Sequence, residues 1–267
     1  MAEKKLDQNQ IASLVMLAMT AVVLVAFQQK LIGWSMYGLA VLFTALGTKA
    51  NFRKHILLVY LSLALLGLIP ITTDITNVNF LRMGSVLVLA LVIPFYISRK
   101  VFKDGLIRYQ FLNGRRWTTK EIGYLIFAAI ASYLFLPFYL ENTGAYLNWG
   151  VENTAESITR LFIGTNALGI WDELFFVSTV LGVLRKYLKF SWANMLQAVL
   201  FTSFLYELGF TGWGPLVIYP FALLQGYIFK KSESLLYVIA IHLTIDFFLF
   251  LALLNAFHPQ LADIFIT

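Results

Sequence analysis

Two adjacent carboxylates, Asp172 and Glu173, stand in the stretch Gly169-Ile-Trp-Asp-Glu-Leu-Phe-Phe, inside a segment that otherwise reads as membrane-spanning helix. An ionised side chain costs several kcal/mol at the bilayer centre and persists there mainly against a protein interior, a water-filled cavity or a partner. Two other apolar segments supply partners: Tyr206-Glu207, and His242 with Asp246. His242 and Asp246 are four residues apart and share one helix face. The set permits three chemistries. A carboxylate can take a proton from water while the imidazole holds a substrate carbonyl or orients that water. Glu173, Glu207, His242 and Asp246 can ligate a divalent ion that activates the water instead. The same groups can form a proton or ion relay in a transporter. A lone buried His or Asp can also be plain interhelical glue, the role assigned here to Asn166, Gln197 and Gln225.

Those segments lie in a chain of 267 residues that is 60% hydrophobic and 13% charged, with a mean hydropathy of +0.77. A soluble domain is about half apolar and a quarter charged, so this composition denotes a polytopic membrane protein. There is no cysteine, which excludes disulfides, thiolate catalysis and Cys-ligated metals. The net charge is +6, but the basic residues sit in short loops between apolar runs rather than in a nucleic-acid groove. No His-Glu-x-x-His, Gly-x-Ser-x-Gly or Gly-x-Gly-Asp occurs, and no phosphate-binding glycine loop.

A spanning helix needs roughly 20 mostly apolar residues. Nine segments qualify: 11–27, 32–48, 56–72, 82–98, 121–139, 158–184, 191–208, 215–229 and 235–257, the second and eighth being short. The polar start, Met1 to Gln10, and the absence of a small-residue cleavage site make the first run a retained helix rather than a signal peptide. Lys and Arg cluster before the first run (Lys4, Lys5) and after the second, fourth, sixth and eighth. The loops 28–31, 73–81, 140–157 and 209–214 are poor in them. This alternation puts the N-terminus in the cytoplasm and the C-terminus outside. The basic loop Ser98 to Lys120, with Phe102, Leu106, Ile107, Phe111 and Leu112 between its charges, reads either as an amphipathic piece on an anionic leaflet or as an ordinary cytoplasmic loop. The chain divides into residues 1–120, poor in intramembrane charge, and 121–267, which hold the carboxylates and His242.

At a rise of about 1.5 Å per residue, Asp172 lies roughly 20 Å above the inner end of its helix, His242 roughly 16 Å, Asp246 roughly 22 Å and Glu207 roughly 27 Å. The sets can therefore meet in the central-to-outer half of the membrane, in one pocket lined by Asp172 or Glu173, Glu207, His242 and Asp246.

At these residues the chain resembles the CPBP family, which contains the CAAX prenyl proteases and the bacteriocin-processing or Abi-type proteins. The family pattern is Glu-Glu-x-x-x-Arg, Phe-x-x-x-His and His-x-x-x-Asn/Asp on successive helices. Asp172-Glu173-Leu174-Phe175-Phe176-Val177, Phe204-Leu205-Tyr206-Glu207-Leu208 and His242-Leu243-Thr244-Ile245-Asp246 stand at those motifs. The resemblance covers about residues 158–250. It implies an all-α, polytopic transmembrane bundle of about eight to nine spans with a CPBP-like core in the C-terminal half, set in a prokaryotic plasma membrane. It implies a metal-independent hydrolase without cofactor that cleaves a peptide at or in the membrane by carboxylate-activated water. Asp172 and Glu173 are then base candidates and His242 the electrophilic partner; Asp246 orients His242 or the water, and Glu207 completes the pocket. Three positions depart from the pattern: Asp172 replaces Glu, Val177 replaces Arg, and Leu208 replaces His. These departures favour a non-catalytic relative that binds a peptide or membrane partner, in a bacteriocin-immunity or chaperone-like role. The retained Asp-Glu and His-x-x-x-Asp favour the enzyme, and a transporter remains the third reading. In every reading the partners are the lipid bilayer and a peptide, membrane protein or small solute, not nucleic acid.

The loop pattern makes a prediction about topology. Reporter fusions after Lys120 and after Phe257 should report opposite sides of the membrane; the same side for both would sink the nine-span arrangement.

Overall fold

Short polar stretches punctuate the apolar runs and set where each helix begins. A computed structural model describes residues 6–261 and 264–265; Lys4 and Lys5, assigned above to the basic N-terminal flank, lie outside the described residues. The helical rods are α1 (Gln8–Ala26), α2 (Lys30–Gly47), α3 (Ala50–Gly67), α4 (Asn77–Val101), α5 (Thr119–Thr143), α6 (Ala155–Arg185), α7 (Phe190–Glu207), α8 (Pro215–Ser232) and α9 (Leu235–Phe257). No strand occurs among the described residues. Asp7, Thr76, Thr118, Thr154 and Ser234 cap the starts of α1, α4, α5, α6 and α9, each side chain accepting from a backbone N–H in the first turn. Pro215 opens α8, where its missing N–H costs nothing.

Six rods, α1, α2, α4, α5, α6 and α9, are long and apolar enough to cross a membrane. The other three lie among the nine segments read from the sequence but fall short on those criteria. The rods differ in how deeply they are enclosed. The apolar window of α6 is 72% buried, against 17% for α2 and for α4. A helix apolar all round and largely covered is a central pillar, whereas α2 and α4 turn most of their surface outward. α6 is therefore the pillar, and it is the helix that carries Asp172 and Glu173. One apolar cluster joins Leu14 and Leu17 of α1, Tyr60 of α3 and Leu87 of α4 to Phe176 of α6, Phe201 of α7 and Ala222 of α8. The segments 1–120 and 121–267 thus share a core.

The basic loops meet at one end of the bundle. Lys49 pairs with Asp7 at 3.1 Å. His55 Nε2 donates to Asp104 Oδ2 at 2.6 Å, and the other ring nitrogen meets the hydroxyl of Tyr187, just past α6. Asn113 donates to the carbonyl of Ser232 at 2.6 Å. The loops poor in Lys and Arg meet at the other end: Gln28 donates to Ile71 O at 3.0 Å, Tyr139 to Thr211 O at 3.1 Å, and Thr73 to Asn148 O.

The loop between α4 and α5 has no helix or strand over residues 102–118. It folds back under the bundle as irregular chain, with Lys103, Gly105 and Gly114 at positive φ and Ile107 buried. Its carbonyls serve other elements. Arg108 O accepts from Ser178, Gln110 O from the Leu235 N–H, and Phe111 O from the Leu236 N–H. Asp104 pins the loop by accepting from Ser98 Oγ at 2.9 Å and the Leu106 N–H at 3.2 Å, while Lys54 lies 3.3 Å away. Of the apolar side chains between its charges, Ile107 is buried, whereas Phe111 and Leu112 are exposed.

Burial pushes the Asp104 carboxyl up, but hydrogen bonds from His55, Leu106, Ser98 and Lys54 outweigh it and hold Asp104 well below the ordinary carboxylate range. A depressed folded-state value contributes stability that is present above the unfolded value, about 4, and is lost as pH falls below it. Asp104→Asn should lower stability at pH 7 by about 1–2 kcal/mol, allowing for solvent screening. Thermal melts of the two proteins should converge toward pH 2; a pH-independent gap would contradict this role.

Candidate active site

The pillar helix changes its winding at the site. Ala155–Asp172 is α-helical and Glu173–Val180 is π-helical. Such widened turns inside α-helices are frequent at functional sites. Trp171 Nε1 donates to Leu87 O of α4 at 2.7 Å, and its ring stacks on Phe175 with centroids 4.7 Å apart. This anchors the turn that bears the carboxylates. Trp171 is buried and fixes which way the next two side chains face.

Asp172 and Glu173 both face α9 and hold His242 between them. His242 Nδ1 donates to Glu173 Oε1 at 2.7 Å. On the other edge of the ring, Nε2 is 4.0 Å from Asp172 Oδ2 and 3.8 Å from Asp246 Oδ1. The first contact is a full hydrogen bond; the other two exceed hydrogen-bond length but keep charge close to the ring. All four side chains are buried, with Glu173 fully enclosed. Asp172 Oδ1 and Asp246 Oδ2 have no hydrogen-bond partner within the protein. Phe221 presents its edge to the imidazole at a centroid distance of 5.3 Å.

α9 comes this close to α6 because position 169 is glycine. A Cβ there would stand 1.9 Å from Asp246 Oδ2 and 3.1 Å from His242 Cδ2. The sequence reading included Gly169 in its stretch but gave it no role. Its signal was the position one turn before Asp172, on the same face.

Asp172, His242 and Asp246 line a cavity of about 290 Å³. Its remaining wall is apolar, with Leu136 and Tyr139 of α5, Leu205 of α7 and Ile218 of α8. Trp149, Leu208 and Phe210 extend it toward the end of the bundle poor in Lys and Arg. A second cavity of about 290 Å³ lies between α4 and α6 and shares Trp149, Leu168 and Leu208 with the first.

Glu207 does not join this group. Its Oε2 accepts from Gln28 Nε2 at 2.7 Å, and Lys30 lies close enough to interact with it. The expectation of a pocket completed by Glu207 is corrected. The residue ends α7, where its helix has already turned toward the α1–α2 loop. Depth alone could not separate the two placements, because helices at one depth still point their side chains into different interfaces. Gln225, assigned to helix glue, does bond across helices, and its partner is a site residue: it donates to Glu173 Oε1 at 2.7 Å. Among the described residues no group of three or more His, Asp or Glu side chains is arranged to hold a metal ion. The chemistry on display is that of carboxylates and an imidazole.

Residues 154–248 match the family model described as type II CAAX prenyl endopeptidase Rce1-like. That stretch is similar to the Rce1-like endopeptidases. It begins at the cap of α6 and ends two residues after Asp246, so it contains the pillar, α7, α8 and the part of α9 that carries His242. The match falls on the helices where the CPBP motifs stand. No curated protein and no solved structure matches the chain. Within the Rce1-like stretch, Val177 is fully buried in the π-helical turn and Leu208 is buried at the cavity wall. The two positions where the family pattern has Arg and His are therefore filled by apolar packing.

The geometry at position 169 predicts a steric lesion. Gly169→Ala should displace Asp246 and His242, lowering any activity of the site about ten- to a hundredfold and stability by about 1–3 kcal/mol. Wild-type activity and melting temperature in this variant would contradict the close approach of α6 and α9.

Proposed function

We propose that the protein is an intramembrane peptidase of the CAAX-protease type, cleaving a peptide whose scissile bond enters the cavity beside His242. The observation that carries this reading is the clamp on His242. Glu173 fixes one ring nitrogen, and the other faces a largely apolar cavity between two buried carboxylates.

The roles follow from position. Asp172 has an oxygen without a protein partner and lies beside the cavity, so it serves as the base that takes a proton from the attacking water. His242, in its imidazolium form, donates Nδ1–H to Glu173 and directs Nε2–H at the carbonyl oxygen that gains charge during attack. Glu173 holds the ring and balances its charge. Asp246 flanks Nε2 from the opposite side and orients ring or substrate. The apolar walls suit a hydrophobic or lipid-bearing peptide, and the matched family description points to prenylated C-termini as the first substrates to try. The basic end of the bundle facing the cytoplasm, which the distribution of Lys and Arg favours, gives the cavity a lean toward the outer half.

A specific observation favours a second reading, a non-catalytic binder of a peptide or membrane partner. Leu208 lines both cavities where the family motif has a histidine, so one potential donor to the transition state is absent. Losing such a donor costs about 3–4 kcal/mol of transition-state stabilisation. The retained cluster must then supply the catalysis alone.

The two readings separate in one assay. Purified protein in detergent is offered quenched-fluorescent peptides, with and without a farnesylated C-terminus. The peptidase reading expects turnover that Asp172→Asn lowers by about 10²–10⁴-fold, that His242→Ala abolishes to a similar degree, and that Glu207→Gln leaves close to wild type. Saturable peptide binding without cleavage by the wild-type protein would overturn the peptidase and establish the binder.

A further inference from the structure

Glu173 Oε1 accepts two hydrogen bonds, one from His242 Nδ1 and one from Gln225 Nε2, each 2.7 Å long. Glu173 and Gln225 are both fully buried. A carboxylate held by a single donor can rotate about its last bond and swap oxygens. A second donor on the same oxygen removes that freedom, and a neutral amide does so without adding charge or competing for the proton.

The aim of Gln225 is itself fixed from the neighbouring helix. Asn194 Nδ2 of α7 donates to Leu223 O of α8 at 2.8 Å, and Gln197 Nε2 donates to Ala222 O at 2.9 Å. Gln197 also donates to Asn194 Oδ1 at 3.1 Å. Gly226, next to Gln225, permits this approach, because a Cβ there would stand 1.9 Å from Asn194 Oδ1. Two amides on α7 therefore grip carbonyls of α8 within one turn of Gln225 and set the rotation of α8 about its axis. The charged groups facing His242 are Asp172 and Glu173 from α6 and Asp246 from its own helix, while α7 and α8 offer it the rings of Phe201 and Phe221.

We infer that Gln225 is a positioning residue for the site: it holds Glu173, so that His242 keeps Nδ1 bonded to the carboxylate and presents Nε2 to the cavity. The kinetic consequence rests on the peptidase reading; the consequence for the imidazole does not.

The test uses the full chain in detergent with ¹⁵N-labelled histidine. The chain has three histidines, and His242→Gln assigns the relevant signal. Wild type is expected to show a hydrogen-bonded, downfield Nδ1 proton on His242. Gln225→Met keeps the volume and removes the donor, and Gln225→Leu removes it with a shorter apolar side chain. Both variants are expected to broaden or abolish that signal and to lower kcat about ten- to a hundredfold with KM little changed. If Gln225→Met does not fold, Gln225→Leu supplies the readout. A lower melting temperature with the His242 signal and kcat intact would make Gln225 structural glue and overturn the inference. Wild-type protein without turnover would defeat the peptidase reading, while the imidazole signal would still decide for or against Gln225.

Discussion

The bond from His242 Nδ1 to Glu173 Oε1 is the interaction on which the arrangement of the bundle turns. A buried carboxylate without a partner is among the costliest groups a membrane protein can carry. Glu173 is tolerable because imidazole and amide donors converge on it from α9 and α8. The convergence forces the three helices to one level and one rotation. It also explains why small residues appear where they do. Gly169 brings α9 against α6, and Gly226 brings α8 against α7. Each lies within a few residues of a polar group whose reach it sets. The polar contacts need close backbones, and the glycines permit close backbones.

A site of this kind also needs a frame that does not yield when a partner enters the cavity. The π-helical turn after Asp172 departs from regular winding and is held by bulky neighbours. Trp171, Phe175, Phe176 and Phe204 interlock behind the carboxylates. The aromatic layer lies on the side away from His242 and joins α6 to α4 and α7. At the far end of α6, Ser178 bonds the α4–α5 loop through Arg108 O, and Thr179 meets Tyr109. The irregular loop thus braces the lower half of the pillar, as the aromatic layer braces the middle.

Much of this was legible in the sequence, and the reason is energetic. Charge inside apolar helix is rare enough to mark a site, so Asp172, Glu173, His242 and Asp246 could be grouped before any contact was known. The alternation of basic loops gave the parity of the helices, and the structure gathers those loops at one end. What sequence could not supply was rotation. Glu207 shared the others' polarity and lay within about two helical turns of them in depth, yet its interface faces Gln28 and Lys30. Gln225 looked like any amide between helices, because nothing in a one-dimensional string tells which carboxylate an amide meets. The loop 98–120 stayed open between two readings for a related reason. Its alternating apolar and basic residues suit a bilayer surface and a protein underside equally well, and a string does not show that its carbonyls meet the Ser178 hydroxyl and the Leu235 and Leu236 N–H groups.

The three departures from the family pattern form one coherent change rather than separate losses. An arginine at 177 would stand four residues after Glu173, whereas the valine there is fully buried. A histidine at 208 would place a second imidazole on the cavity wall, opposite the first. With both absent, the charged part of the site lies on the face shared by α6 and α9, and the remaining walls are apolar apart from Ser132 and Thr165. The nearest groups to His242 Nε2 are then Asp172 and Asp246, at 4.0 and 3.8 Å. Aspartate at 172 is one methylene shorter than the family's glutamate, and the close approach enforced at Gly169 draws the opposing helix in. Shortening one side chain while narrowing the gap keeps a carboxylate within reach of whatever His242 holds. The polar groups on the cavity wall beside the imidazole are the two carboxylates, so a cation entering there would meet Asp172 and Asp246 and an anion would meet the single imidazole.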